Sequence, residues 1–75
     1  MPTIRSKANN VKITKNDIIV YLEDGRVLSI PISYFPTLEK ASEKERNNWR
    51  LIGRGVGIHW EDIDEDISIN GLLGI

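Results

Sequence analysis

The sequence predicts an α+β fold: a small antiparallel sheet of about five short strands, covered on one face by one short helix, with a short C-terminal helical turn. Three observations carry this. The first half holds short β-branched runs separated by turn residues, the pattern of hairpin-linked strands. One stretch, Ser42-Glu43-Lys44-Glu45, matches a helix capping box. Val56, Ile58 and Trp60 then alternate with smaller or polar residues, giving a strand with one strongly apolar face.

Taken in order, Val11-Lys12-Ile13 alternates apolar and polar and reads as a half-buried strand. Lys15-Asn16-Asp17 is turn chemistry. Ile18-Ile19-Val20-Tyr21-Leu22 reads as a central strand. Asp24-Gly25 follows, a pair suited to a type I′ hairpin in which both central residues need φ > 0. Residues 26–32 return. Pro31 donates no ladder hydrogen bond, so this strand is an edge there or ends there. Pro36 suits the first position of a helical turn. The capping box, with Ser42 as N-cap, predicts a short helix over residues 43–49, ending on Trp49. Arg50-Leu51-Ile52 is extended. The glycines at 53, 55 and 57 suggest a phosphate loop but lack the Lys-Ser/Thr of a P-loop and the GxGxxG spacing, so they read as a turn or bulge. Alternation turns His59 away from the Val56, Ile58 and Trp60 face, where Ile19 and Leu51 are expected to pack. Ser68 can cap a last turn over residues 69–73, and Gly74 can end it.

Seventy-five residues, read here as a single domain over 1–75, make a core of marginal size. Such a domain buries only ~60% of its unfolded surface. There is no cysteine, hence no disulfide and no metal-thiolate site; this fits a reducing cytoplasm. No apolar run approaches the ~18 residues of a membrane span, and the start has no secretion-signal core, so a cytoplasmic protein is expected.

The net charge of −1 hides an asymmetry. Arg5, Lys7, Lys12 and Lys15 stand near the start without an acid among them. Four scattered cations without an aromatic platform argue against direct nucleic-acid binding. Near the end, Glu61, Asp62, Asp64, Glu65 and Asp66 put five carboxylates in six positions, directly after the only histidine, His59, and Trp60. Such a run serves a solvated, helix-capping loop or a surface for a basic partner. Asp62-x-Asp64-x-Asp66 resembles half a calcium loop, but Ile67 and Leu73 stand where glycine and glutamate are required, so no metal or cofactor is expected. Ile63 and Ile67 look like anchors that tether the acidic run to the core. No nucleophile elbow or oxyanion motif accompanies His59, and no enzyme is expected. Tyr34 and Phe35, between two prolines, form an aromatic anchor or pack at the edge of the core.

An ordered set of motifs is similar to a known family. Asp24-Gly25-Arg26, residues 31–36, Asn48-Trp49-Arg50-Leu51-Ile52, Gly57-Ile58-His59-Trp60, Asp64-Glu65-Asp66-Ile67-Ser68 and Gly71-Leu72-Leu73 resemble the prokaryotic family called domain of unknown function 2442. The resemblance covers about residues 11–74. Glu61 departs from it, standing where members often carry proline. The resemblance implies a small α+β domain, often encoded beside another small protein in a pair that looks like a toxin–antitoxin module. Some relatives add a helix-turn-helix domain after this one. The present chain stops at Ile75, which argues against operator binding.

The expectation is therefore an antitoxin-like protein-interaction module that binds a cognate small protein encoded nearby. Asp62, Asp64, Glu65, Asp66, His59 and Tyr34 are its candidate contacts. The alternatives are a cation-binding or enzymatic domain built on His59 with Asp62, Asp64, Glu65 and Asp66, and a self-assembling domain that forms a homo-oligomer.

Overall fold

A computed structural model describes residues 6–73. It contains six strands rather than about five, in two antiparallel sheets rather than one. In the first, β1 (Ala8–Ile13), β2 (Asp17–Leu22) and β3 (Val27–Pro31) lie in the order β1-β2-β3. In the second, β4 (Trp49–Ile52), β5 (Gly57–Trp60) and β6 (Glu65–Ser68) lie in the order β4-β5-β6. Between them stand a 3-10 turn (Ile32–Tyr34) and two one-turn helices, α1 (Pro36–Lys40) and α2 (Glu43–Asn47). The last described element is α3 (Ile69–Leu73).

The strand period of two decides what is buried. In β2, Ile18, Val20 and Leu22 face the core, while Ile19 and Tyr21 are half-buried on the other side. Ile19 therefore does not join Trp60 inside; Ile18 and Val20 do. Ala8 and Val11 are both buried although three residues apart. A bulge between Ala8 and Asn10 absorbs the extra residue and keeps both on the inner face.

The β2–β3 connection differs from a two-residue I′ turn. Leu22 N–H donates to the Arg26 carbonyl (2.9 Å) and Gly25 N–H to the Leu22 carbonyl (3.1 Å), so three residues form the loop. Only Gly25 takes positive φ, at 94°; Asp24 does not. The Asp24 carboxylate instead accepts from Arg26 N–H (3.0 Å) and Arg26 Nε (2.7 Å). The Arg26 backbone bond first, with its guanidinium, holds the Asp24 carboxyl below its ordinary range. Pro31 ends β3, which is an edge strand as its missing N–H requires.

Pro36 opens α1 at its first turn. The capping box is complete: Glu45 N–H donates to Ser42 Oγ (3.1 Å) and Ser42 N–H to Glu45 Oε1 (2.9 Å). The helix it opens ends at Asn47, and Trp49 begins β4 instead of closing the helix. Pairing of Trp49 with Trp60 across β4 and β5 outweighs another half-turn of helix. Arg46 of α2 ties three segments together. Its guanidinium donates to the carbonyls of Leu38 (2.8 Å) and Glu39 (2.6 Å) at the end of α1, and of Lys15 (3.3 Å) in the β1–β2 turn. Its own carbonyl accepts the Trp60 indole N–H (2.8 Å).

One core cluster draws on both sheets: Ile18, Val20 and Leu22 from the first, Ile58, Trp60 and Ile67 from the second, with Leu38 of α1 and Ile69 of α3. The glycine turn at Gly53–Gly55 brings backbone against backbone where the sheets meet. A Cβ on Gly55 would lie 2.4 Å from the Ala8 carbonyl oxygen. No helix among the described residues is long and apolar enough to cross a membrane. Gly74, expected to end α3, lies outside the described residues.

Candidate functional site

The second sheet arranges the residues around His59. Across its outer face, Arg50, His59 and Asp66 stand in one row, because Arg50 pairs with His59 and His59 with Asp66. His59 Nδ1 lies 2.5 Å from Asp66 Oδ1, and Nε2 lies 2.7 Å from Glu61 Oε2. Arg50 approaches the same Glu61 oxygen at 3.8 Å. The Asp66 bond first, then the Glu61 bond, raises the His59 pKa above its ordinary value; burial acts against them. With both ring nitrogens on carboxylates, the doubly protonated imidazolium is the form this geometry favours. Glu61 and Arg50 were absent from the candidates read from the sequence. Glu61 opens the acidic run just past the end of β5, two positions after His59, and that i, i+2 spacing from a strand residue was the signal that could have paired them.

The other acids take separate places. Asp62 accepts from Asn48 Nδ2 (2.9 Å), tying the β5–β6 turn to the end of α2. Asp64 sits in that turn with φ of 50°, a conformation that Asp tolerates better than most residues. Glu65 and Asp66 belong to β6, a strand that sequence patterning missed because Ile67 is its only large apolar residue. Ile67 is buried and Ile63 partly so against the core, as anchors should be. Among the described residues, no three His, Cys, Asp or Glu side chains form a group that could hold a metal ion.

Glu65 and Asp66 also border a groove of about 530 Å³ between β3 and β6. Ile30 of β3, with Tyr34 and Phe35 just beyond it, lines one side. Residues 65–68 of β6 and Leu72 of α3 line the other. Tyr34 stands 72% exposed, while Phe35 packs against the core. The fold therefore brings Tyr34, Glu65 and Asp66 to one groove and joins His59 to it through Asp66. Asp62 and Asp64 are not in the groove wall.

The family model described as "Protein of unknown function (DUF2442)" matches residues 8–75. The chain belongs to this family. Among solved structures, a protein of unknown function from Rhodospirillum rubrum ATCC 11170 is similar to this DUF2442 chain at 30% identity and a TM-score of 0.83. The match covers 95% of this chain and 88% of that one. No curated protein matches.

Proposed function

We propose that this DUF2442 chain is a non-enzymatic, antitoxin-like interaction module that binds a cognate small protein through the groove face. The observation that carries the reading is Tyr34, a large aromatic left 72% exposed beside an apolar groove bordered by Glu65 and Asp66. Exposed aromatics next to apolar recesses are the usual anchors of protein interfaces. The two carboxylates would steer a basic partner onto them. The state of His59 supports a non-catalytic role. A general base needs a free lone pair on nitrogen, and both His59 nitrogens are engaged. The resemblance to proteins encoded in pairs points to the neighbouring gene for the partner, and the absence of cysteine fits a cytoplasmic setting.

The test is co-expression with the neighbouring gene product and surface plasmon resonance at two salt concentrations. Association should slow with added salt and with Glu65→Gln, and the complex should weaken with Tyr34→Ala. Asp62→Asn, which changes a carboxylate outside the groove, should alter association less. No complex at micromolar concentrations overturns the reading.

A further inference from the structure

The groove is bounded on one side by four consecutive residues of a sheet edge, Glu65, Asp66, Ile67 and Ser68. Because β6 is the last strand of its sheet, its far side meets no strand among the described residues. Register shows which backbone groups face that side. Ile69 N–H donates to the Val56 carbonyl (2.9 Å), one position beyond the Gly57–Ser68 pair. In an antiparallel ladder, hydrogen-bonded and non-hydrogen-bonded pairs alternate. Ile67 and Glu65 therefore turn their backbone groups to β5, while Asp66 and Ser68 turn theirs to the groove. The opposite edge is poorer in donors. Bonds of Leu22 N–H to the Arg26 carbonyl and Ile32 N–H to the Asn16 carbonyl set the same alternation along β3. It points Val27, Ser29 and Pro31 outward, and Pro31 has no N–H.

We infer that the groove receives an extended segment of the partner protein, which adds to β6 as a fourth strand and alternates apolar with basic side chains. Backbone pairing with Asp66 and Ser68 supplies the ladder, and apolar side chains settle towards Ile30, Phe35, Ile67 and Leu72. The basic positions follow from charge. The residues lining the groove include Glu65 and Asp66 and no lysine or arginine. Asp66 gives Oδ1 to His59 but stays exposed, so its other oxygen can accept from a Lys or Arg at the facing position. A second β6 would instead bring its own Glu65 and Asp66 against this edge, and like charges across a strand pair destabilise it.

The inference rests on the interaction-module reading, and the experiment separates the two. The probe is a terminally blocked hexapeptide alternating valine and lysine, added up to millimolar to the isotopically labelled full chain. Saturable shifts of the Asp66 and Ser68 amides, with slower hydrogen exchange at both, are expected. A valine–glutamate peptide of equal length should bind at least roughly tenfold more weakly. N-methylation of alternate peptide amides on the pairing side should abolish binding. Equal binding by the methylated peptide, or no shift at millimolar peptide, overturns strand addition. So does concentration-dependent protection of both amides without peptide, which would make a second copy the occupant. The same amides are then followed in the complex with the neighbouring gene product. A complex that leaves them unprotected sinks strand addition but keeps the interaction module. Peptide binding without any such complex keeps the receptive edge and removes the cognate partner.

Discussion

His59 is held from both sides by carboxylates, and the consequence is a dependence of stability on pH. Its pKa is raised in the folded chain, chiefly by the bond to Asp66 and then by that to Glu61. The unfolded chain returns it to about 6.5. The folded state thus retains the proton where the unfolded state loses it. The stabilisation is fully present below about pH 6.5 and is lost as pH rises through the folded value. Melting temperature should fall as pH rises through that window, and His59→Gln should flatten the fall. An NMR titration of the ring should place the folded pKa above the ordinary value; a midpoint at or below it would contradict the clamp. The sequence made His59 conspicuous as the only histidine beside five acids, but not its partners. Asp66 is seven residues away, and only the β5–β6 register brings it opposite.

At the scale of elements, signals that act within a few residues were legible and those that depend on pairing were not. The Ser42–Glu45 capping box, Pro36 at the start of α1 and Ser68 at the start of α3 are local chemistry, and each stands as read; Gly71 N–H donates to Ser68 Oγ (2.9 Å). The end of α2 and the existence of β6 depend on partners in the second sheet, so charge and short length concealed them. The glycines illustrate the same division. Gly25 and Gly55 both take positive φ, at 94° and 98°. A Cβ at Gly25 would meet nothing within 4 Å, whereas at Gly55 it would press on the Ala8 carbonyl where the sheets meet. Gly25→Ala should cost only the left-handed backbone penalty, about 1–2 kcal/mol. Gly55→Ala should add a backbone clash to that penalty and cost clearly more, on the order of 3 kcal/mol or above. Urea denaturation of the two variants side by side checks the order; equal losses would mean that the contact at Ala8 relaxes freely.

For the whole molecule, alternation could show which face of each strand turns inward but not how the strands divide into sheets. The α+β class and the inward face shared by Ile58 and Trp60 were legible. Val56, expected on that face, instead closes the glycine turn before β5 with helical φ/ψ, which breaks the strand alternation and leaves it outside the core cluster. The division into two three-stranded sheets was not legible, because it follows from the helical connection after Pro31 and from the close approach at Gly55. Trp60 is where the two halves of the chain meet. It is fully buried, pairs with Trp49 and Glu65 along its own sheet, and donates its indole N–H to the Arg46 carbonyl. Arg46 in turn binds the end of α1 and the β1–β2 turn. A chain of this length has a total stability of about 4–11 kcal/mol. Trp60→Ala removes the largest fully buried side chain and should cost ~3–5 kcal/mol, enough to leave much of the population unfolded. Trp60→Phe keeps an aromatic ring in the site but strands the Arg46 carbonyl, and should cost roughly 1–3 kcal/mol. Circular dichroism in urea measures both without relying on tryptophan fluorescence. The alanine variant should have the lower midpoint, and the phenylalanine variant should keep the wild-type slope, since the surface exposed on unfolding hardly changes. A Trp60→Ala midpoint equal to the wild type would mean that the two sheets do not share the core built around this ring.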